Sequence, residues 1–361
     1  MSKFPLNALK VLDISSVLAG PLTGSFFAEM GAVVLKIENK RTGGDVTRQW
    51  KLPSENPNDM HSAYYSSANY GKKIIMLDLM DSKDRNQLET YISEADVVIS
   101  NFQKKTAQKL DLDPNEIVRR YPNLIFTQLS AYTWDDPRPG YDLVMQGETG
   151  WISMNGTDDE HLAKLPVAVM DVIASHQMRT ATLLAMLNKA KTGKGSVIHV
   201  SLYKSALSAL ANQASNYLMA GHVPVPLGTL HPNIAPYGDI FFTACNQKIM
   251  LAIGSDAQFN KLWFTLINDI EKYPNFELNS DRVKNRSQLS DILQNAIHAI
   301  EKSSLVKKLD ANQLPYCFIH NLSEVFNTPL AKEMVHTEKY GNYSSRSVSS
   351  VAFELFDNVL E

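Results

Sequence analysis

The chain has 361 residues, enough for two domains at roughly 100–200 residues per domain. Hydrophobic residues make up 44% of the sequence and charged residues 20%, which excludes an intrinsically disordered chain. The 35 Lys and Arg against 38 Asp and Glu give a net charge of −3, so there is no overall basic field that would attract nucleic acid.

Short apolar runs alternate with helical patterns over the first third of the chain. The sequence predicts strands at 9–14, 32–37, 73–79, 96–100 and 124–129, with helices at 22–30, 87–94 and 115–119. Near-continuous apolar strands separated by helices are typical of a parallel sheet that is covered on both faces. We therefore expect an α/β fold built from βαβ units.

The pattern changes in the second half of the chain. A long helix over about 171–190 and a strand at 196–201 are followed by a helix over 206–220 and a proline-rich stretch over 221–238. A hairpin over 241–253 and helices near 257–270 and 287–303 come next, and the last twenty residues are Ser-rich and weakly patterned. The predicted domains are a large one over 1–222, a linker with a small domain over 223–330, and a return segment over 331–361.

The first strand, loop and helix resemble the layout of a dinucleotide site, but the glycines do not fit. The loop at 19–24 reads Ala-Gly-Pro-Leu-Thr-Gly, with one glycine before the helix, and Pro21 removes an amide that would face a phosphate. A tight turn with Pro near the helix start explains the loop equally well, so an NAD enzyme is the weakest alternative.

The termini and the cysteines bear on location and on metals. Met1–Pro5 lacks the apolar stretch of a signal peptide, and no apolar run approaches roughly 18 residues. Cys245 and Cys317 are too few for a disulfide framework and too far apart for a zinc pattern. We expect a cytoplasmic protein with two buried, reduced thiols, no membrane segment and no metal site.

A series of short motifs runs along the chain in a fixed order. They are Leu9–Asp13, Ala19–Pro21, Gly31–Glu38, Gly44–Arg48, Gly71–Lys73, Leu77–Leu79, Asn101–Phe102, Gly140–Leu143, Pro166–Ala168 with Asp171, Gly193–Leu202, His231–Pro232, Ala235–Gly238 and Leu314–Pro315. Together they resemble the family III CoA-transferases, the group of formyl-CoA transferase and carnitine CoA-transferase that also includes α-methylacyl-CoA racemase. The resemblance implies a Rossmann-like large domain that binds CoA, a smaller α+β domain and an interlocked homodimer. It also implies acyl-CoA and small carboxylic acids as substrates, with no permanently bound cofactor.

The family uses an aspartate as a covalent nucleophile, and Asp171 matches it. Its neighbours Val169, Met170, Val172 and Ile173 are apolar, and it lies near a predicted helix start. Partial desolvation makes a carboxylate a better nucleophile, and a helix N-terminus favours its charged form. From local sequence alone, a helix-capping Asp explains the position equally well. The resemblance implies an acyl–aspartyl anhydride and then an aspartyl-CoA thioester on Asp171.

Two residues beside the Gly-x-Asp motif bear on the reaction type. The racemase branch has a histidine base before the aspartate, whereas this chain has Tyr141, whose phenol, with an ordinary pKa near 10, is a poor base. This favours a transferase. Asp142 matches an acidic residue that supports the transferase site, although a turn Asp after Gly140 is an equally good interpretation. Tyr141 and Asp142 therefore join Asp171 as catalytic candidates.

The resemblance also assigns the CoA contacts. Lys72 and Lys109 match positions near the phosphates, and Asn39 stands where the family often has arginine, so the adenosine-phosphate contacts stay open. The remaining candidates line the path of the pantetheine arm or the loop beside it: Ser16, Val17, Leu18, Ala19, Asn101, Phe102 and Leu202.

Three alternatives remain open. An acyl-CoA racemase or isomerase is the nearest rival. A CoA-binding relative without turnover is the second, because the late Gly-His-Thr segment of the family is absent after Asn342. Residues Gly228–Gly238 are either a mobile cover for the site or an ordinary interdomain linker. The donor and the acceptor acid cannot be inferred from the sequence.

Overall fold

The structure is a computed structural model that describes residues 5–340 and 343–355. The chain divides into two compact units. Unit 1 comprises the described residues of Met1–Ile152, Lys164–Val223 and Lys332–Glu361, and unit 2 comprises Ser153–Ala163 and Pro224–Ala331. Within the described residues, no helix is both long enough and apolar enough to cross a bilayer.

Unit 1 contains a six-stranded parallel sheet with the strand order β3-β2-β1-β4-β5-β6. The strands are β1 Lys10–Asp13, β2 Val33–Asn39, β3 Lys72–Leu77, β4 Val97–Ser100, β5 Ile125–Ser130 and β6 Ser196–Ser201. Consecutive residues of the inner strands enter different apolar clusters: Val11 packs on one face of the sheet and Leu12 on the other. This double burial explains the near-continuous apolar strands, and the predicted α/β fold is confirmed.

The helices of unit 1 connect or follow the strands, and several of them pack on the two faces of this sheet. They are α1 Ala19–Glu29, α2 Ala63–Ser66, α3 Ser82–Glu94, α4 Lys104–Lys109, α5 Pro114–Arg120, α6 Asp142–Glu148, α7 Val169–Thr192, α8 Leu202–Ser208 and α9 Ala211–Ala220, with 3₁₀ turns at Lys40–Thr42 and Val46–Gln49. The helices α1 and α7 pack on one face, where Phe27, Met170 and Met178 are fully buried. The single helix expected over 206–220 is two helices, because Ala211 adopts a left-handed conformation with φ of +45°.

Unit 2 is built around a three-stranded antiparallel sheet with the order β7-β8-β9, in which β7 is Tyr237–Phe242, β8 is Lys248–Ala252 and β9 is Tyr316–Phe318. Its helices are α10 Asp256–Leu266, α11 Asn279–Lys284, α12 Arg286–His298, α13 Lys302–Ala311 and α14 Leu322–Val325, with a 3₁₀ turn at Tyr273–Asn275; α15, Pro329–Glu333, spans the unit boundary. Trp263 and Phe259 are fully buried in its core. The helix expected over 287–303 is two helices, since Glu301 caps a new start at Lys302.

The division of the structure differs from the predicted domains at one segment, and unit 1 contains a hairpin that was not predicted. Residues 153–163 belong with unit 2, because the Gly228 N–H donates to the carbonyl of Gly156 at 2.7 Å. The weakly patterned tail includes an antiparallel hairpin of β10 Val335–Tyr340 and β11 Tyr343–Val348. Its terminal residues 356–361 lie outside the described part of the chain.

The expectation of two buried thiols was also wrong. Cys245 lies in the turn between β7 and β8, and Cys317 lies on the edge strand β9; both side chains are exposed and free. The sequence offered only their spacing, which does not report which face of a strand a residue takes.

The segment Gly228–Gly238 is tied to unit 2 by arginines. Arg286 donates to the carbonyls of His231 at 2.7 Å and Ile234 at 2.5 Å, and Arg282 donates to the carbonyl of Ala235 at 2.8 Å. Asn279 bonds the Ala235 N–H at 3.2 Å. These bonds make the segment part of the unit 2 fold, and they favour a held loop over a mobile cover.

Candidate active site

A cavity of about 260 Å³ lies in unit 1 where strands β1, β4, β5 and β6 end. The strand order reverses between β1 and β4, and open parallel sheets bind ligands outside the carboxyl ends of their strands at such a point. A neighbouring cavity of about 450 Å³ lies at the ends of β2 and β3. The two cavities share Ser16 and Phe102 in their linings.

Most of the predicted site residues line these cavities. The smaller cavity brings together nine of them: Ser16, Val17, Leu18, Ala19, Asn101, Phe102, Tyr141, Asp171 and Leu202. The larger one is lined by Lys109, with Arg41 as a second cation and Asn39 in the position where the family often has arginine. Asp142 and Lys72 line neither cavity.

The prediction that Lys72 meets a CoA phosphate needs correction. Its side chain is fully buried, and its ammonium donates to Asp13 at 2.9 Å, to the carbonyls of Pro21 at 2.7 Å and Ala68 at 2.9 Å, and to Asn69 at 3.1 Å. Burial lowers the pKa of Lys72 to about 8, and the Asp13 carboxylate partly opposes that shift. An ammonium with all its donors engaged inside the protein is not available to a phosphate.

Asp171 is the third residue of α7, where the first amides of a helix have no intrahelical acceptor and the dipole favours an anion. Burial, followed by the neighbouring Asp142 carboxylate, raises the pKa of Asp171 to about 7. In the part of the chain that the structure describes, neither a salt bridge nor a hydrogen bond reaches its carboxylate. Asp171 is therefore a largely desolvated carboxyl group without a bonded partner among the described residues.

Asp142 bonds the backbone beside Asp171. Its Oδ1 accepts the N–H of Met170, the residue before Asp171, at 2.7 Å, and its Oδ2 accepts from Gln146 at 2.6 Å. The Gln146 amide oxygen in turn accepts the N–H of Leu165 at 2.8 Å. Asp142 thus fixes the first turn of α7 and adds a like charge that disfavours ionisation of Asp171.

The loop between β1 and α1 lines the cavity and leads into the first residues of α1. Asn101 bonds both sides of Ser16, accepting its N–H at 3.1 Å and donating to its carbonyl at 2.8 Å. Ala19 and Gly20 are the first two residues of α1, so their N–H groups have no acceptor within the helix. Ala19 lines the cavity that Asp171 also lines.

Two basic residues of the smaller cavity, Lys104 and Arg138, were missed by the sequence analysis. Arg138 pairs with Asp136 at 2.8 Å and lies 3.7 Å over the Tyr132 ring, and Lys104 pairs with Asp135 at 2.5 Å. Arg138 follows the Asp135-Asp136 pair in the sequence, whereas only the fold brings Lys104 to Asp135, and none of the recognised motifs includes either basic residue. Among the described residues, no cluster of His, Cys, Asp or Glu is arranged to hold a metal ion.

The fold and the cavities define an α/β protein with two adjoining cavities along the strand ends, and the smaller one contains a carboxylate that has no partner among the described residues. The chain belongs to the family "CoA-transferase family III", whose model matches residues 6–355. It is therefore an enzyme of the CoA-transferase class, and the predicted family is confirmed.

Relatives and solved structures agree with this membership. The chain is 33% identical over 337 residues to the succinate–glutarate CoA-transferase of Agrobacterium fabrum, covering 91% of this chain and 83% of that protein. It is 28% identical over 340 residues to the succinyl-CoA:mesaconate CoA-transferase of Haloarcula hispanica, covering 90% and 82%. A CAIB/BAIF family protein from Brucella suis superposes with a TM-score of 0.84 at 31% identity, covering 98% of this chain and 93% of that one.

Proposed function

We propose that the protein transfers CoA between two carboxylic acids through covalent intermediates on Asp171. The observation that carries the proposal is the state of that carboxylate: it is desolvated, it has no cation or hydrogen-bond donor among the described residues, and it lines the cavity with the loop Ser16–Ala19. A carboxylate without donors keeps its lone pairs available for attack on a thioester carbonyl.

The steps balance without any further reagent. The Asp171 carboxylate attacks the carbonyl carbon of the donor acyl-CoA; a C–O bond forms, the C–S bond breaks, and a mixed anhydride and CoA thiolate result. The thiolate then attacks the aspartyl carbonyl of the anhydride, which releases the donor acid and leaves a CoA thioester on Asp171. The acceptor carboxylate attacks the carbonyl of this thioester; a C–O bond forms, the C–S bond breaks, and a second mixed anhydride and CoA thiolate result. The thiolate then attacks the acceptor carbonyl of that anhydride, which gives the acceptor acyl-CoA and releases the Asp171 carboxylate.

The surrounding groups have distinct roles in this scheme. The N–H groups at the start of α1 offer donors to the oxyanion that develops at each carbonyl. Asp142 holds the turn that carries Asp171, as its bond to the Met170 N–H suggests. Tyr141 lines the cavity with an exposed phenol, which suits substrate contact better than proton abstraction.

We propose short dicarboxylic acids as the substrates. Two relatives carry names with dicarboxylic acyl groups, succinate and glutarate in one case and succinyl-CoA and mesaconate in the other. Arg138 and Lys104 in the lining of the smaller cavity supply cations for anionic ligands, and Arg41 and Lys109 do so in the larger one, where we place the phosphates of CoA.

A transfer assay tests the proposal. Succinyl-CoA is mixed with glutarate, and the two CoA esters are separated by liquid chromatography over time. We expect transfer by the wild type and a loss of at least about a thousandfold in Asp171→Asn. The matched control is Asp281→Asn, which alters another aspartate at the third position of a helix and should keep wild-type transfer. Normal transfer by Asp171→Asn would refute the covalent role.

We also propose that the protein works as an interlocked homodimer. Helix α9 has no buried residue within the single chain, and Leu218 and Met219 on it are 77% and 87% exposed. Contiguous exposed apolar surface marks an association face. Light scattering should give twice the 40.3 kDa chain mass, and two differently tagged dimers should exchange chains only after unfolding. Exchange under native conditions would contradict the interlocking.

A cytoplasmic location also stays a proposal. It is supported by two exposed free thiols, Cys245 and Cys317, which persist in a reducing compartment.

A further inference from the structure

Val17, in the loop between β1 and α1, has an unusual backbone conformation. Its φ is +73°, in the left-handed region that β-branched residues rarely adopt. Such a residue persists only where its surroundings over-determine it, and it is often found at binding sites. Ser16 before it lines both cavities, and Ala19 after it begins α1. The conformation at Val17 therefore sets the angle at which the chain enters the helix.

A buried ion pair bonds the backbone of this loop. The Asp45 carboxylate accepts the N–H of Val17 at 3.2 Å and also accepts the N–H of Thr47 at 3.0 Å. Lys36 on β2 lies with its ammonium 3.2 Å from the Asp45 carboxylate and donates to the carbonyl of Ser15 at 2.8 Å. Both side chains are at most 1% exposed. One pair of charges thus bonds the backbone on each side of Ser16.

A second buried ion pair lies beside the first. Asp13, at the end of β1, accepts the N–H of Ser15 at 3.0 Å and pairs with Lys72 at 2.9 Å. Burial opposes ionisation of Asp13, but Lys72 and Lys36 together hold its pKa below its ordinary value. Lys36 and Lys72 therefore balance Asp13 and Asp45, and all of these groups except Lys72 bond the backbone of the loop directly.

Buried ion pairs often contribute little to stability, because the cost of desolvation offsets their attraction. An arrangement of four such charges, three of which bond the backbone of Ser15 or Val17, is better explained by what it positions. We propose that Lys36 and Asp45 are positioning residues for the CoA thioester: they fix Ser15–Val17 so that the first amides of α1 face the cavity that contains Asp171. This inference rests on the proposal that the two cavities hold CoA.

The test uses Asp45→Asn, which keeps the shape of the side chain but loses its charge, and Lys36→Met, which keeps its length. The matched control is Glu29→Gln, since Glu29 is also a buried carboxylate of unit 1 and accepts the Ser350 N–H at 3.1 Å, but does not contact the loop. Affinity for CoA is measured by calorimetry, and amide exchange by mass spectrometry on peptides that cover 14–22.

We expect both variants to bind CoA at least about tenfold more weakly and to exchange the amides of 14–22 at least about tenfold faster, while Glu29→Gln matches the wild type in both. The rate of covalent adduct formation at saturating acyl-CoA should also fall at least about tenfold, because the same amides stabilise the oxyanion, whereas Glu29→Gln should keep the wild-type rate. A role in stability alone would lower the unfolding temperature and leave the affinity of the folded fraction unchanged.

Two results would overturn the inference. One is a folded Asp45→Asn or Lys36→Met that binds CoA as tightly as the wild type. The other needs no variant: fast exchange of the Val17 amide in the ligand-free wild type would show that Asp45 does not hold it. A wild type that binds CoA but transfers none would instead refute the proposed reaction and leave the positioning role standing.

Discussion

Replacing Asp171 by Asn should make the protein more stable at alkaline pH while it removes activity. Burial and the Asp142 charge raise the pKa of Asp171 from the ordinary 3.8 to about 7. At about 1.4 kcal/mol per pH unit, the ionised side chain costs the folded state about 4 kcal/mol at pH 8. The favourable interaction of the charge with the start of α7 reduces this cost by up to about 1 kcal/mol. Asn carries no charge, so the variant should gain about 3 kcal/mol.

The sign of the pH dependence follows from proton binding. Between pH 3.8 and about 7 the folded chain keeps the proton on Asp171 that the unfolded chain releases. The contribution of Asp171 to the free energy of unfolding is therefore fully present below pH 3.8. It is lost as the pH rises to 7 and through it. The gain of Asp171→Asn should fall to about 1.6 kcal/mol at pH 5, which is about 1.4 kcal/mol per unit over the interval from 3.8 to 5.

Urea unfolding at pH 5 and pH 8 measures both values. The control is Asp281→Asn, at the third position of α11, which should change the free energy of unfolding by about 0.5 kcal/mol or less at both pH values. A gain for Asp171→Asn that is absent at pH 8, or that is equal at the two pH values, would show that Asp171 is not a desolvated carboxylate.

Three further changes test other parts of the structure. Asp142→Asn keeps an acceptor for the Met170 N–H but removes the like charge beside Asp171. The pH midpoint of adduct formation on Asp171 should therefore move to lower pH. An unchanged midpoint would show that the Asp142 charge does not raise the pKa of Asp171. Lys72→Met leaves Asp13 buried without its nearest cation and should cost about 3–5 kcal/mol in urea unfolding; wild-type stability would mean that the pair is not formed. Arg282→Met removes bonds to the carbonyls of Ala235, Phe276 and Glu277 and a pair with Asp256, and calorimetry should show unfolding destabilised by about 3 kcal/mol or more.

The parallel sheet was predictable because its strands bury both faces. Val97, Val98 and Ile99 are all fully buried, and such runs stand out from amphipathic helices by their apolar continuity. The hairpin of β10 and β11 was not predictable. Its strands carry mostly polar and charged residues, and their pairing with each other is what makes them strands.

The site was predictable where the motif itself forms the lining. Ser16–Ala19 are consecutive residues of one loop, so their shared cavity follows from the chain. Lys72 was misassigned because a motif does not tell which side chain of a strand turns inward. Lys72 points to Asp13, whereas Lys73 beside it is exposed. The network of Lys36, Asp45 and Asp13 joins residues that are far apart in sequence, and only the fold shows it.

The most direct test of the central claim is the intact mass of the wild type and of Asp171→Asn after mixing with succinyl-CoA at pH 8, with no acceptor present. We predict that the wild type gains the mass of CoA less water, as expected for a thioester on a carboxylate, that hydroxylamine removes the adduct, and that the variant gains nothing. An adduct of equal yield on Asp171→Asn, or no adduct on a wild type that catalyses transfer, would contradict the account.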